Sequence, residues 1–405
     1  MPSILPFPLS RRRFLQSASA LALAHSLPSI ARAQSAALRY RAYAGCYTGK
    51  AGNGEGIYAL DFDLANGALY NRRLVARTPS PSWIAIHPSR RFLYAANEVS
   101  DYEGSSGSVS AFAIAADGGL QPLNAVSSHG ADPAYISLDG TGRFVLVADY
   151  TGGAIAVLPI DAATGRLGPA VTVIQDQGSL GAAKASSGPP DSFAISGHDA
   201  PHAHMIAPSP DNRFVLATDL GQDRIYIYAF DDTTGKLSAP RFVTLPTGDG
   251  PRHFAFHPNR RWLYTSQEES STVVFFQYDP ETGMLKPVQA VSALPPGFAG
   301  TSFASEILIS PDGRTLYAAN RLHDAIAVFT IGFDGRLTRQ SETPTGGDYP
   351  VMCRIDPTGR YFFACNRRSD AITTLPIDQE TGRLSAPIQY TPIGSAASIT
   401  FVAID

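Results

Sequence analysis

Short apolar segments alternate along this chain with turns that contain Gly, Pro or Asp. The 36 glycines and 31 prolines are spread over the whole sequence, with aromatic residues between them. This pattern predicts many short β-strands joined by tight turns. A chain of 405 residues built in this way forms either one large β domain or two smaller ones.

One turn recurs seven times as Asp, a short spacer, Gly, one residue and Leu. The copies lie at 63–69, 117–120, 161–167, 231–237, 279–285, 334–337 and 378–384. Successive leucines are 51, 47, 70, 48, 52 and 47 residues apart, a period typical of propeller blades. The glycine supplies the positive φ that a tight hairpin turn needs.

A second motif lies between these turns and reads as an apolar strand, a Pro/Asp/Gly turn, Arg and a second strand. It is complete at 84–97, 136–149, 206–219, 254–267, 307–320 and 353–366. The seventh copy is split, with its first strand at 398–405 and its second at 40–47. Pairing the two ends closes a ring and removes exposed sheet edges. We therefore expect a seven-bladed β-propeller of four-stranded antiparallel blades over 34–405; the alternative is two separate β domains.

Residues 1–33 are expected to be a signal peptide. Three arginines at 11–13 precede Phe14-Leu15, an apolar stretch follows, and Ala31-Arg32-Ala33 fits a processing site. Paired arginines before Phe-Leu are typical of twin-arginine export, whereas an ordinary secretory signal or a basic tail is the alternative. The apolar stretch is shorter than the ~20 residues that span a bilayer. We expect a periplasmic protein without a membrane span.

Two further features bear on the predicted exported domain. Residues 175–200 are rich in Gly, Ser, Ala and Pro, and such a long loop is either functional or a disordered insertion. Because the loop leads into 201–204, a lid is favoured. The three cysteines, Cys46, Cys353 and Cys365, are an odd number, and a hairpin turn at 357–360 places Cys353 and Cys365 on opposite faces. We expect all three to be buried structural thiols.

The charge balance limits the classes of partner. The chain has 32 Lys and Arg against 35 Asp and Glu, a formal net charge of -3, and no basic run beyond its first residues. Nucleic-acid binding is therefore not expected. With 44% hydrophobic and 17% charged residues, the chain is neither disordered, collagenous nor a coiled coil.

Equivalent positions in the blades of a propeller converge around its central channel. The position that ends the second strand holds Glu98, Tyr150, Leu220, Glu268, Arg321 and Arg367. The position that begins the first strand holds Ser82, Ala134, His204, Arg252, Ser305 and Val351, followed by Trp83, Tyr135, Met205, His253, Glu306 and Met352. One mouth of the ring thus collects carboxylates, arginines and histidines. They form either a functional site or the polar lining of a wet channel.

Four of these residues are the candidate catalytic set. Arg252 and Arg321 can bind a carboxylate or a developing oxyanion. Glu268 and His204 can take a proton from water. The candidate substrate-binding residues are His202, His253, Glu306, Glu98 and Arg367.

The position before the strand-end residues is polar in all six complete copies of the second motif. It holds Asn97, Asp149, Asp219, Gln267, Asn320 and Asn366. We interpret these side chains as hydrogen-bonding groups at strand ends, and a Ca²⁺ site that includes Glu98 is the alternative. We expect no metal and no cofactor, and a turn ion pair between Asp223 and Arg224.

Several segments resemble the lactonase family of seven-bladed propellers, which includes bacterial 6-phosphogluconolactonases and fungal carboxy-muconate lactonizing enzymes. The matching segments are 43–48, 131–133, 201–204, 219–224, 250–258, 305–307 and 320–321. The resemblance implies a metal-independent site with His204, Arg252, Glu268 and Arg321 as its active residues. The chain departs from the family at 349–353, where Pro-Arg-His is frequent, at Ala200 and in the loop 175–200.

Together these features predict a hydrolase that acts on a small lactone. Cycloisomerisation of a muconate and ligand binding without catalysis are the alternatives. Predicted export argues for a non-phosphorylated sugar lactone or an aromatic-derived lactone as the substrate. The sequence does not indicate the oligomeric state.

Overall fold

The computed structural model describes residues 39–195 and 197–404. The predicted signal peptide lies outside these residues, so export stays a prediction. The described chain consists of β-strands and one short 3-10 helix, Arg367–Ser369. No helix in this part of the chain has the length and apolar character needed to cross a membrane.

The strands, in chain order, are β1 (Arg39–Cys46), β2 (Ile57–Phe62), β3 (Leu69–Ala76), β4 (Pro81–Ile86), β5 (Phe92–Tyr102), β6 (Ser106–Ile114), β7 (Leu120–Ser127), β8 (Pro133–Leu138), β9 (Phe144–Asp149), β10 (Ala154–Pro159), β11 (Thr172–Gln175), β12 (Ala203–Pro208), β13 (Phe214–Asp219), β14 (Arg224–Asp231), β15 (Lys236–Leu237), β16 (Arg241–Thr244), β17 (Pro251–Phe256), β18 (Trp262–Gln267), β19 (Thr272–Tyr278), β20 (Leu285–Ser292), β21 (Phe303–Ile309), β22 (Thr315–Arg321), β23 (Ala325–Ile331), β24 (Leu337–Pro344), β25 (Pro350–Ile355), β26 (Tyr361–Asn366), β27 (Ala371–Pro376), β28 (Gln389–Pro392) and β29 (Ala396–Ile404).

These strands form seven antiparallel sheets. The innermost strands, β29, β4, β8, β12, β17, β21 and β25, each contact the innermost strands of the two neighbouring sheets, so they form a closed ring. The predicted seven-bladed β-propeller is confirmed. One blade differs slightly from the four-stranded prediction, because its outer edge is divided into β15 and β16, which both pair with β14. Pro240 lies between them and has no N–H to donate to the ladder.

The two ends of the described chain close the ring. Strand β29 pairs antiparallel with β1, from Arg39 opposite Ile404 to Cys46 opposite Ala396. The C-terminal strand is innermost in this blade and the N-terminal strand is second, as the split repeat predicted. The pairing fixes both termini of the propeller and leaves neither as an unpaired edge.

The repeated Gly turn also connects neighbouring blades. The Tyr94 hydroxyl donates to the carbonyl of Gly165 at 3.0 Å, and Tyr264 bonds in the same way to Gly335 at 2.7 Å. Gly165 has a φ of 74°, and a Cβ there would lie 2.3 Å from the Phe92 ring. Glycine is therefore required both by the backbone conformation and by the approach of the neighbouring blade.

The three cysteines are buried free thiols, as predicted. Cys353 lies opposite Ala364 in the β25–β26 pairing, and Cys365 lies opposite Met352. This register is the one expected from the turn at 357–360. Burial raises the pKa of the Cys353 thiol well above its ordinary value.

Candidate active site

Each innermost strand contains a β-bulge at the same level of the ring. The pairing with the second strand shifts there by one residue in all seven blades. In six strands the extra residues are Ser82, Ala134, His204, Arg252, Val351 and Ala397, and in β21 the shift falls between Ala304 and Ile307. A bulge re-aims side chains. The six extra residues all line one cavity.

This cavity has a volume of about 260 Å³ and receives side chains from all seven blades. Its walls come from the bulges, from the residues that follow the second strands and from a few neighbours. The lining residues are Tyr47, Ser82, Trp83, Glu98, Ala134, Tyr150, His204, Arg252, His253, Glu268, Arg321, Tyr349, Val351, Met352, Arg367 and Ala397. All four residues of the predicted catalytic set are among them.

Glu268 joins the two arginines of that set. Its Oε2 lies 3.0 Å from Nε of Arg252 and 2.6 Å from Nη2 of Arg321. The three side chains are at most 9% exposed. Burial and the charge of Arg321 lower the pKa of Arg252, whereas burial of Arg321 is outweighed by Glu268 together with Tyr349 and Glu269, which raise its pKa. The cavity therefore holds two fixed guanidinium groups that share one carboxylate.

His204 lies in the same lining as a neutral imidazole. Its ring packs edge-on against Tyr150 and His253, at centroid distances of 5.4 and 5.0 Å. Nδ1 is buried and has no hydrogen-bond partner. Burial, followed by the positive charge of Arg252, holds the pKa of His204 well below its ordinary value. The imidazole is therefore unprotonated at neutral pH, and its lowered pKa makes it a weaker base than an exposed histidine.

His253 and Glu306 are adjacent but differ in their access to the cavity. His253 lines it, whereas Glu306 is absent from the lining and lies 3.1 Å from Nδ1 of His253 through Oε1. Burial raises the pKa of Glu306 to about 7. Glu306 is therefore placed to orient His253, not to touch a ligand in this cavity.

The other predicted binding residues also differ in whether they line the cavity. Glu98 and Arg367 line the cavity, and the Tyr47 hydroxyl donates to Oε2 of Glu98 at 3.1 Å. His202 does not line it. The His202 ring stacks on Tyr150 at 4.4 Å, and its two nitrogens lie 2.8 Å from the Tyr150 carbonyl and 3.0 Å from Asp199. His202 thus supports the Tyr150 wall.

Sequence reasoning missed several lining residues. Tyr47 and Ala397 belong to the split blade, and aligning 40–47 and 398–405 with the complete repeats would have placed both on the two site positions. Tyr349 had no comparable signal beyond the departure of 349–353 from the family pattern. Its ring lies 5.2 Å from the guanidinium carbon of Arg321.

The loop 175–200 supports the site from outside. None of its described residues lines the cavity. His198 lies 3.2 Å from Oδ1 of Asp223, whose oxygens also accept from the amides of Gly248 and Gly250. The expected ion pair between Asp223 and Arg224 is wrong, because Asp223 binds these groups instead. Its contacts hold the segment that leads into Arg252.

The polar side chains just before the strand-end residues form hydrogen bonds within the propeller. Asn97 donates to the hydroxyls of Ser108 and Ser110, and Asn366 donates to Thr373. These contacts favour the structural interpretation over the Ca²⁺ alternative. Among the described residues, no group of three or more His, Cys, Asp or Glu side chains could hold a metal ion.

A seven-bladed propeller with a buried arginine, glutamate and histidine cluster at its channel mouth defines the class of this protein. The family described as "Lactonase, 7-bladed beta-propeller" matches residues 41–401. The chain belongs to this family. It is 33% identical to a 6-phosphogluconolactonase of Bacillus subtilis, over 86% of this chain and 94% of the relative.

Two other proteins are similar to this chain over most of its length. A 6-phosphogluconolactonase of Pectobacterium carotovorum is 32% identical over 84% of this chain and 94% of its own length. The solved structure of a periplasmic gluconolactonase from Pseudomonas aeruginosa is 29% identical and superimposes with a TM-score of 0.80, covering 91% of this chain and 100% of that chain. Both the fold and the extent of the match therefore agree with the family.

Proposed function

We propose that this protein hydrolyses a small lactone in the 260 Å³ cavity. The observation that carries the proposal is the pair of guanidinium groups held by Glu268 beside the neutral His204. Membership of the lactonase family and the names of the relatives support the same reaction.

The arginines supply the electrostatic part of the proposed reaction. The lactone carbonyl oxygen accepts hydrogen bonds from Arg252 and Arg321, which stabilise the oxyanion formed when water adds to the carbonyl carbon. The bond between that carbon and the ring oxygen then breaks. The product carboxylate stays paired with the arginines until it leaves.

His204 is the better of the two predicted proton acceptors. Oε2 of Glu268 is already paired with both guanidinium groups, whereas Nδ1 of His204 has no hydrogen-bond partner. In the proposed step His204 takes a proton from the attacking water and returns it to the departing ring oxygen, which becomes the hydroxyl of the product. Glu268 then serves mainly to position Arg252 and Arg321.

The substrate is proposed at the level of a sugar lactone. One relative is named a gluconolactonase and others 6-phosphogluconolactonases, so both neutral and phosphorylated sugar lactones are candidates. The predicted signal peptide and the name of the periplasmic structural relative support an exported enzyme. Export favours the non-phosphorylated lactone.

The proposal is tested by following acid release from glucono-δ-lactone in a pH-stat. We expect His204→Gln to lower kcat by about 10²–10⁴-fold, the usual contribution of a general base. Exchange of His87 for Gln is the matched control, because the His87 ring bonds to the Gly142 carbonyl in an outer turn. Equal turnover by the wild type and His204→Gln would refute the assigned role.

The alternatives are examined with the same preparation. Formation of a lactone from a carboxylated muconate, without hydrolysis of any sugar lactone, would replace hydrolysis by cycloisomerisation. Tight binding of lactones without turnover would identify a binding propeller.

A further inference from the structure

A second concave surface adjoins the cavity. This groove has a volume of about 520 Å³ and is lined by Ala51, Asn53, Tyr349, Arg367, Arg368, Asp370 and Ser395. It shares Tyr349 and Arg367 with the cavity lining, so the two spaces adjoin at these side chains. A molecule with its reacting group in the cavity can therefore extend into the groove.

The groove presents two guanidinium groups that are fixed by aromatic rings. The guanidinium carbon of Arg367 lies 3.8 Å from the centre of the Tyr47 ring, and that of Arg368 lies 3.8 Å from the Tyr349 ring. Neither Arg367 nor Arg368 has a carboxylate oxygen within 4.0 Å among the described residues. Nη2 of Arg367 donates to the Ala51 carbonyl at 3.0 Å, and stacking leaves the other edges of the two guanidinium groups available for hydrogen bonds.

The acidic residue in the groove is engaged elsewhere. Oδ2 of Asp370 accepts from the side-chain amide of Asn53 at 2.8 Å, and Oδ1 accepts from the Ser395 amide at 2.7 Å. Two arginines and one aspartate leave one net positive charge in the lining. The groove is therefore suited to an anionic group.

Tyr349 shows that this arrangement is specific to the last blade. Its φ is 64°, in the left-handed region that bulky residues avoid. The residues at the same place in four other blades, just before the innermost strand, are Ser80, Asp132, Gly250 and Ser395, all with positive φ. Tyr349 is the aromatic member of this set, and its ring lies between Arg321 in the cavity and Arg368 in the groove.

We propose that the Arg367–Arg368 groove binds an anionic substituent of the substrate, a phosphate or a carboxylate, while the lactone ring occupies the cavity. This inference rests on the proposed function. The planar donors of the arginines match both phosphate and carboxylate oxygens. Tyr349 positions Arg368 and separates the anion from the reacting carbonyl.

The test compares hydrolysis of three lactones: neutral glucono-δ-lactone, its 6-phosphate and a glucaric acid lactone that carries a free carboxylate. The wild type should have the lowest KM for an anionic lactone, and the preferred anion identifies the substituent. Arg368→Gln should reduce that preference, measured as the ratio of KM values, about tenfold. Arg360→Gln is the matched control, since Arg360 lies at the opposite end of the same blade in the turn before β26.

A binding measurement separates failure of this inference from failure of the proposed function. Calorimetric titration with 6-phosphogluconate, glucarate and gluconate requires no turnover. Tighter binding of 6-phosphogluconate or glucarate than of gluconate, lost in Arg368→Gln, supports the groove even if no lactone is hydrolysed. Equal binding of all three by the wild type, or an anion preference that survives in Arg368→Gln, overturns the inference while leaving lactone hydrolysis standing.

Discussion

Replacement of Glu268 by Gln removes the charge that holds the two site arginines. Gln keeps the size of the side chain but cannot neutralise Arg252 and Arg321, which contact the same oxygen at 3.0 and 2.6 Å. Both guanidinium groups are at most 9% exposed, so they regain only part of their hydration in the folded protein. The variant therefore leaves two like charges side by side in the cavity lining.

The expected loss can be worked out from this geometry. Removing one partner of a buried ion pair costs about 3–5 kcal/mol. At roughly 2 °C per kcal/mol for a large domain, Tm should fall by about 6–10 °C. Activity should fall by about 10²–10³-fold, since the oxyanion donors lose their fixed positions.

Thermal unfolding is the assay, and Glu342→Gln is the matched control. Glu342 also contacts two side chains, Arg339 at 2.6 Å and His323 at 3.0 Å, but its own side chain is 24% exposed. Partly hydrated pairs contribute about 0–1 kcal/mol, so this control should change Tm by less than about 2 °C.

Sulfate provides a second readout. A divalent anion bound between Arg252 and Arg321 would replace the missing carboxylate, so sulfate should raise the Tm of Glu268→Gln more than that of the wild type. An unchanged Tm in Glu268→Gln, together with an equal response to sulfate, would refute the interpretation of Glu268 as the carboxylate that holds both arginines.

Three further predictions concern the fold and its pH dependence. Burial raises the pKa of Asp176 beside Asp219, so the folded state keeps a proton that the unfolded chain releases above about pH 4. Stability should then fall as pH rises from about 4 towards the raised pKa, and Asp176→Asn should flatten this fall in urea unfolding curves measured from pH 5 to 9. A wild-type curve that rises over this range would contradict the assignment. Deletion of β29 should abolish cooperative unfolding, because it removes the innermost strand that pairs with β1; a deletion variant with the wild-type transition by circular dichroism would show that closure is dispensable. The three buried cysteines should not react with a thiol reagent in the native protein and should give three equivalents in guanidinium chloride; rapid labelling without denaturant would contradict their burial.

The sequence alone determined the blade count and the closure of the ring. Both follow from repeats that have the period of one blade, because each copy must bury the same alternating face against its neighbours. The repeats also placed His204, Arg252, Glu268 and Arg321 on two shared positions. Residues on a shared position meet around the channel whatever their separation along the chain.

The tertiary structure decided which of these residues share a surface and which lie behind it. The bulge turns one residue into the cavity in six of the seven innermost strands, and alternation along a strand cannot reveal where the extra residue falls. Glu306 lies outside the cavity lining although it falls within the β21 bulge, and His202 lies outside it although it is two residues from His204. The shared contact of Glu268 with two arginines, and the left-handed Tyr349 between the cavity and the groove, depend on side chains from different blades meeting in space. Local sequence preferences act within one strand or turn and carry no information about such pairings.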